Sequence, residues 1–140
     1  MVRMVASLVL VLSLVGCAPA TVQGARDDAS GRAEIDVELN YQEAYRRIIT
    51  PARACFQGSG LLGPQFIVQG DVFTDVPKAE IAFVIAGTFG SAHPAVIDIA
   101  GFGPSRTRIV SHYWSRGWAE IGSLVERWVR EGYTGCGPLA

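Results

Sequence analysis

Between Ala33 and Gly132 the hydrophobic period runs from two to about 3.6, back to two through four segments, and then to 3.6 again, which leaves few folds open. Ile35, Val37 and Leu39 alternate with Glu34, Asp36 and Glu38, the pattern of a half-buried strand with an acidic wet face. Asn40 stops that strand, and Glu43 follows three residues later, close to a helix-opening capping box. Tyr41, Ala44, Tyr45, Ile48, Ala52 and Cys55 then form one helical stripe. Pro51 lies inside it and lacks an N–H, so a kink or split is expected near residue 50, with 52–56 as a separate turn.

Gln57 to Pro64 reads as a Gly-rich loop. Four strands are expected at Phe66 to Phe73, Ala79 to Ala86, Ala95 to Ala100 and Thr107 to Tyr113. They are separated by a turn around Asp75-Val76-Pro77-Lys78, a loop from Gly87 to Pro94 and a turn at Gly101-Phe102-Gly103-Pro104. Short connections favour antiparallel pairing. Trp114, Trp118, Ile121, Val125 and Trp128 mark a second amphipathic helix, with Gly132 as its C-terminal glycine. The order β-α-β-β-β-β-α predicts an α+β domain: an antiparallel sheet of about five strands with two helices packed on one face.

Upstream, Arg3 precedes an apolar run from Met4 to Val15, followed by Gly16 and Cys17. That is the layout of a secretory signal peptide. A membrane-spanning helix needs about 20 apolar residues, and this run is broken by Gly16, Cys17 and Pro19. Leu14-Val15-Gly16-Cys17 resembles the lipobox of bacterial lipoproteins. The resemblance implies cleavage before Cys17, diacylglycerol on its thiol, and a further palmitate-type acyl chain on the new amino terminus. Under the enterobacterial sorting pattern, Ala18 in place of Asp points to the periplasmic face of the outer membrane, with the inner membrane as the alternative. Residues 18–32, APATVQGARDDASGR, have no periodicity and read as a flexible tether of roughly 20 Å. The expected division is therefore signal peptide 1–16, lipidated terminus and tether 17–32, and one domain over 33–140.

With Cys17 taken by lipid, Cys55 and Cys136 remain in an oxidising compartment, where a pair normally becomes a disulfide. Arg3 is the sole charge in residues 1–16, so the mature chain carries 11 basic and 13 acidic side chains. Without a clustered basic face, nucleic acid is not an expected partner.

The segment Tyr41-Gln42-Glu43-Ala44-Tyr45-Arg46-Arg47 leading to Cys55, and Trp128-Val129-Arg130-Glu131-Gly132 leading to Cys136, resemble small uncharacterised lipoproteins of Gram-negative bacteria. That resemblance implies location and architecture, and it carries no catalytic or binding residues. The helix-on-sheet order is also similar to the small domains of a lipoprotein of the outer-membrane barrel-assembly machinery, in fold alone.

No cofactor or metal motif is present. His93 and His112 lack ligand-spaced partners. Gly101-Phe102-Gly103 is only part of a phosphate loop, and Asp71, Asp75 and Glu80 do not match a calcium loop. His112, Asp98 and a serine could form a triad only by tertiary geometry, and no G-x-S-x-G elbow exists. Arg106 and Arg108, with Arg116, Trp114 and Trp118 nearby, form the candidate interaction surface. The competing reading is a solvated face balanced by the acidic row of the first strand, with the tryptophans in the core. The expected function is a non-enzymatic, membrane-anchored interaction or assembly accessory module with an envelope protein partner. The alternatives are a small-ligand or lipid binder with a pocket between sheet and helix, and an envelope hydrolase.

Overall fold

The computed structural model describes residues 18–59 and 61–139; the expected signal peptide and Cys17 lie outside the described residues. The fold is α+β, an open antiparallel sheet of six strands with three helices. In chain order these are α1 (Val22–Asp27), β1 (Gly31–Val37), α2 (Tyr41–Phe56), β2 (Gly58–Ser59), β3 (Gln65–Phe73), β4 (Lys78–Gly87), β5 (Gly90–Gly101), β6 (Thr107–Tyr113) and α3 (Ile121–Arg130). The sheet order is β1-β6-β5-β4-β3-β2. Strands β2 to β6 therefore form a meander, and α2 carries the chain from the β1 edge to the other edge. The sixth strand is β2, a two-residue piece of the expected Gly-rich loop that pairs with Phe66 and Gln65.

Helices α2 and α3 share one face of the sheet and bury the main core there. Ile48, Ile81, Ile97, Ile99, Ile109, Ile121, Val125 and Trp128 are all sealed from solvent. Asn40 caps α2 as its sequence position suggested, accepting from the Glu43 N–H at 2.9 Å. Pro51 does not split α2, which runs unbroken for 16 residues. Ile48, Ile49, Pro51 and Ala52 all bury against the sheet, and that burial outweighs one missing backbone bond. Two glycines set how closely the helices approach. A Cβ at Gly70 of β3 would overlap the Tyr45 ring of α2, and one at Gly122 of α3 would overlap Ala33 of β1.

The second helix is shorter than its stripe predicted. The Trp114 N–H bonds the Pro94 carbonyl at 3.0 Å, which extends the sheet, and Arg116–Trp118 form one 3-10 turn. Gly117 further weakens helix there. Trp118 instead joins Phe56 and Phe83, with ring centroids 5.5 and 5.2 Å away. Trp128 packs at 6.5 Å from Phe56 and donates its indole N–H to the Gly135 carbonyl at 2.9 Å. Gly132 ends the helix with φ +64°, as expected of a C-terminal glycine. Beyond it, Cys136 is bonded to Cys55 at the end of α2, with Cα atoms 5.3 Å apart.

The region expected as a loop from Gly87 to Pro94 is mostly strand. Thr88 and Phe89 make a two-residue turn, and β5 begins at Gly90. Phe83 faces Ala95 while Ile85 faces Ala92, so β5 bulges at His93–Pro94. A bulge is where a strand tolerates proline, because no ladder N–H is required of it.

The largest departure concerns the tether. Residues 18–32 are not free of structure: α1 packs on the sheet face opposite α2 and α3, where Ala25 buries against Ala82, Val84 and Val96. Thr21 caps it, accepting from the Gly24 N–H at 2.9 Å. Pro19 is buried and its carbonyl accepts from the His93 N–H at 2.8 Å. The packed body thus starts at Pro19 rather than Ala33.

Candidate functional site

Pairing register places Glu80 of β4 directly opposite Asp98 of β5, both on the face that carries α1. Two like charges in that relation repel across the ladder. Arg26 of α1 resolves the conflict. Its Nε donates to Asp98 Oδ2 at 2.9 Å, its Nη2 donates to Asp98 Oδ1 at 2.6 Å, and Nη2 also reaches Glu80. His112 Nε2 lies 3.1 Å from Asp98 Oδ2. The Asp98 hydrogen bonds hold the Arg26 guanidinium protonated far above its usual range; burial works against this, and Glu80 adds to the hold. Beside the cluster is a concavity of about 350 Å³, walled by Gln23, Phe73, Lys78 and Ala100 as well as the ionic groups. The arrangement is an anchored charge network with its acids already paired, which suits it to hold α1 in place.

Sequence reasoning missed this network because Arg26 lay in an apparently unstructured stretch. The available signal was Glu80 and Asp98 themselves, each an acid set inside an otherwise apolar strand.

The candidate interaction surface does not assemble as one patch. Arg106 precedes β6 and Trp114 follows it, so the two groups lie about 26 Å apart along the strand. Arg108 is held by β1: its Nε donates to Asp36 at 2.8 Å, its Nη2 donates at 3.0 Å, and Glu34 stands 3.2 Å from Nε. The acidic row of the first strand therefore balances it. The Arg108 bond holds the Asp36 carboxyl below the usual carboxylate range. Arg106 is exposed and lies over the Phe102 ring, 4.9 Å from its centroid. At the far end Trp118 is in the aromatic core, Trp114 is half-buried and Arg116 is exposed.

Of the hydrolase constellation, Asp98 stands at hydrogen-bond distance from His112, but among the described residues no hydroxyl or thiol bonds either histidine. His93 is buried in the β5 bulge rather than in a loop, and its Nδ1 has no partner among the described residues. No group of three His, Cys, Asp or Glu among the described residues could hold a metal ion. Where the sequence suggested a pocket between sheet and helix, Phe56, Phe83 and Trp118 leave about 10 Å³, room for about one water. No described helix is long and apolar enough to cross a membrane.

No protein-family model matches the chain, and no curated protein matches it. Among solved structures it is similar to the human StarD13 (DLC2) lipid transfer and protein localization domain, at 9% identity over 73% of this chain and 75% of that one, with TM-score 0.48. It is also similar to norcoclaurine synthase from Thalictrum flavum in complex with dopamine and hydroxybenzaldehyde, at 10% identity over 77% and 82%, with TM-score 0.27. At those scores no residue role carries across from either.

Proposed function

We propose that this chain is a lipid-anchored protein of the bacterial outer membrane, processed before Cys17, whose periplasmic domain is a non-enzymatic interaction or assembly accessory module. The observation that carries the reading is the start of the packed body at Pro19, two residues after Cys17. An anchor at Cys17 would tie the domain itself to the bilayer, since α1 leaves no free tether between them. The Cys55–Cys136 bond supports export to an oxidising compartment. The exposed Arg106–Phe102 end, where a cation lies over an aromatic ring, supports docking of an acidic envelope partner.

The test is acylation of the full chain. Wild type is expected to incorporate labelled palmitate, lose residues 1–16 and partition into detergent, while Cys17→Ser accumulates as an unlabelled precursor. Normal processing and partitioning of Cys17→Ser would contradict the anchor. For the partner, a photo-reactive residue at position 102 is expected to give one crosslinked envelope protein in intact cells, lost on Arg106→Glu. Adducts indifferent to that charge reversal would remove this face from the reading.

A further inference from the structure

The end of the sheet nearest Pro19 is unlike the rest of the surface. Leu61, Leu62 and Phe89 are fully exposed, and Phe66 beside them is 40% exposed. The register brings them together. Gln65 faces Ala86 and Gly87 faces Gly90, so residues 61–64 and the β4–β5 turn lie at the same end of the sheet, with a shallow concavity between Pro64 and Phe89. Residues 57–70 and 81–97 contain no Asp, Glu, Lys or Arg. On the neighbouring strand end stand half-buried Trp114 and exposed Arg116. Fully exposed large apolar side chains on an uncharged rim, flanked by tryptophan and a cation, have the composition of a protein surface at the bilayer interface.

Chain direction points the same way. Pro19 bonds β5 at His93, and Arg26 bonds it at Asp98. The polypeptide therefore advances along β5 away from the Phe89 turn, with Pro19 at the end of that path nearer the turn. Cys17 Cα can lie no more than about 7.6 Å from Pro19 Cα. The acyl chains implied for Cys17 would thus emerge nearer the Phe89 end of β5 than its Phe102 end.

We propose that this end of the sheet docks into the lipid bilayer, with Leu61, Leu62 and Phe89 inserted among the acyl chains next to the Cys17 anchor. The domain then stands on the membrane in one orientation, with Phe102 and Arg106 at the opposite end of the sheet facing the periplasm. This rests on the lipoprotein reading, and it adds a second, protein-borne membrane contact to it. Apolar insertion beside a covalent lipid is the usual two-part logic of stable interfacial binding.

The experiment uses the mature, acylated protein in vesicles of phosphatidylethanolamine and phosphatidylglycerol. p-Benzoylphenylalanine replaces Phe89, Leu62 or, as the control, Phe102, all three exposed, and lipid adducts are counted by mass spectrometry. Positions 89 and 62 are expected to give at least about fivefold more lipid adduct than position 102. The amino-terminal mass is read in the same samples. An acylated, vesicle-bound protein with equal adducts at 89 and 102, or with position 89 crosslinked to another protein copy, overturns the docking and leaves the anchor standing. An unmodified Cys17 overturns both. As a second measurement, hydrogen exchange at residues 61–62 and 88–90 is expected to slow on vesicles relative to detergent, and to lose that slowing in Leu61→Asp/Leu62→Asp/Phe89→Asp. Slowing that persists in the triple variant counts against insertion.

Discussion

Arg26 and Asp98 stand 72 positions apart in sequence and share two hydrogen bonds, of 2.9 and 2.6 Å, across the sheet face opposite the main helices. Removing the guanidinium leaves Asp98 and Glu80 facing each other without their shared cation, with His112 the remaining partner of Asp98. Arg26→Gln is therefore expected to lower stability by about 1–3 kcal/mol, below the range for fully buried pairs because these side chains keep some solvent contact. It should also raise hydrogen exchange across Pro19–Asp28. Urea unfolding checks the first outcome and exchange mass spectrometry the second. Pairing Arg26→Gln with Asp98→Asn should recover part of the loss.

The bond between Cys55 and Cys136 closes a separation of 81 residues and fastens the end of α2 to the segment after α3. By chain entropy its removal should cost about 4 kcal/mol. Thermal melts of Cys55→Ala/Cys136→Ala against the oxidised protein measure this. An unchanged midpoint would mean that the two ends are held as firmly by packing.

Trp128 is almost completely buried, and its indole N–H is satisfied by Gly135. Trp128→Ala is expected to cost about 3–5 kcal/mol. Trp128→Phe should cost less, and the remainder includes the Gly135 carbonyl left without its donor.

Gly122 meets Ala33 with no space for a side chain between α3 and β1. Gly122→Val should destabilise by about 1–3 kcal/mol through overpacking, and combining it with Ala33→Gly should return part of that. Additive losses in the double variant would show that the clash is relieved elsewhere.

The Asp36–Arg108 pair sets one acid response. Because the Arg108 bond lowers the Asp36 carboxyl in the folded state, the pair stabilises above the unfolded aspartate value of 3.8 and the benefit is lost as pH falls through the lower folded value. Asp36→Asn should therefore flatten stability below about pH 4, with little change in slope between pH 6 and 8. Equal acid slopes in both proteins would show that the surface pair contributes nothing, as exposed pairs often do.

Residue pattern alone determined the class of fold, four of the strands nearly to their ends, the cap at Asn40, the stop at Gly132 and the pairing of Cys55 with Cys136. These follow from local period and from counting thiols, which need no knowledge of neighbours in space. Tertiary structure decided the remainder. Pro51 stays inside a helix because burial on both sides of it outweighs a local break, and Pro94 enters a strand because a bulge excuses its missing N–H. Arg106, Arg108, Trp114 and Trp118 read as one surface in sequence, yet a strand runs between them and its neighbours claim Arg108 and Trp118. Residues 18–30 carry too little apolar periodicity to announce a helix. They fold because two acids, far away in the chain, sit side by side on the sheet and require the cation that Arg26 supplies.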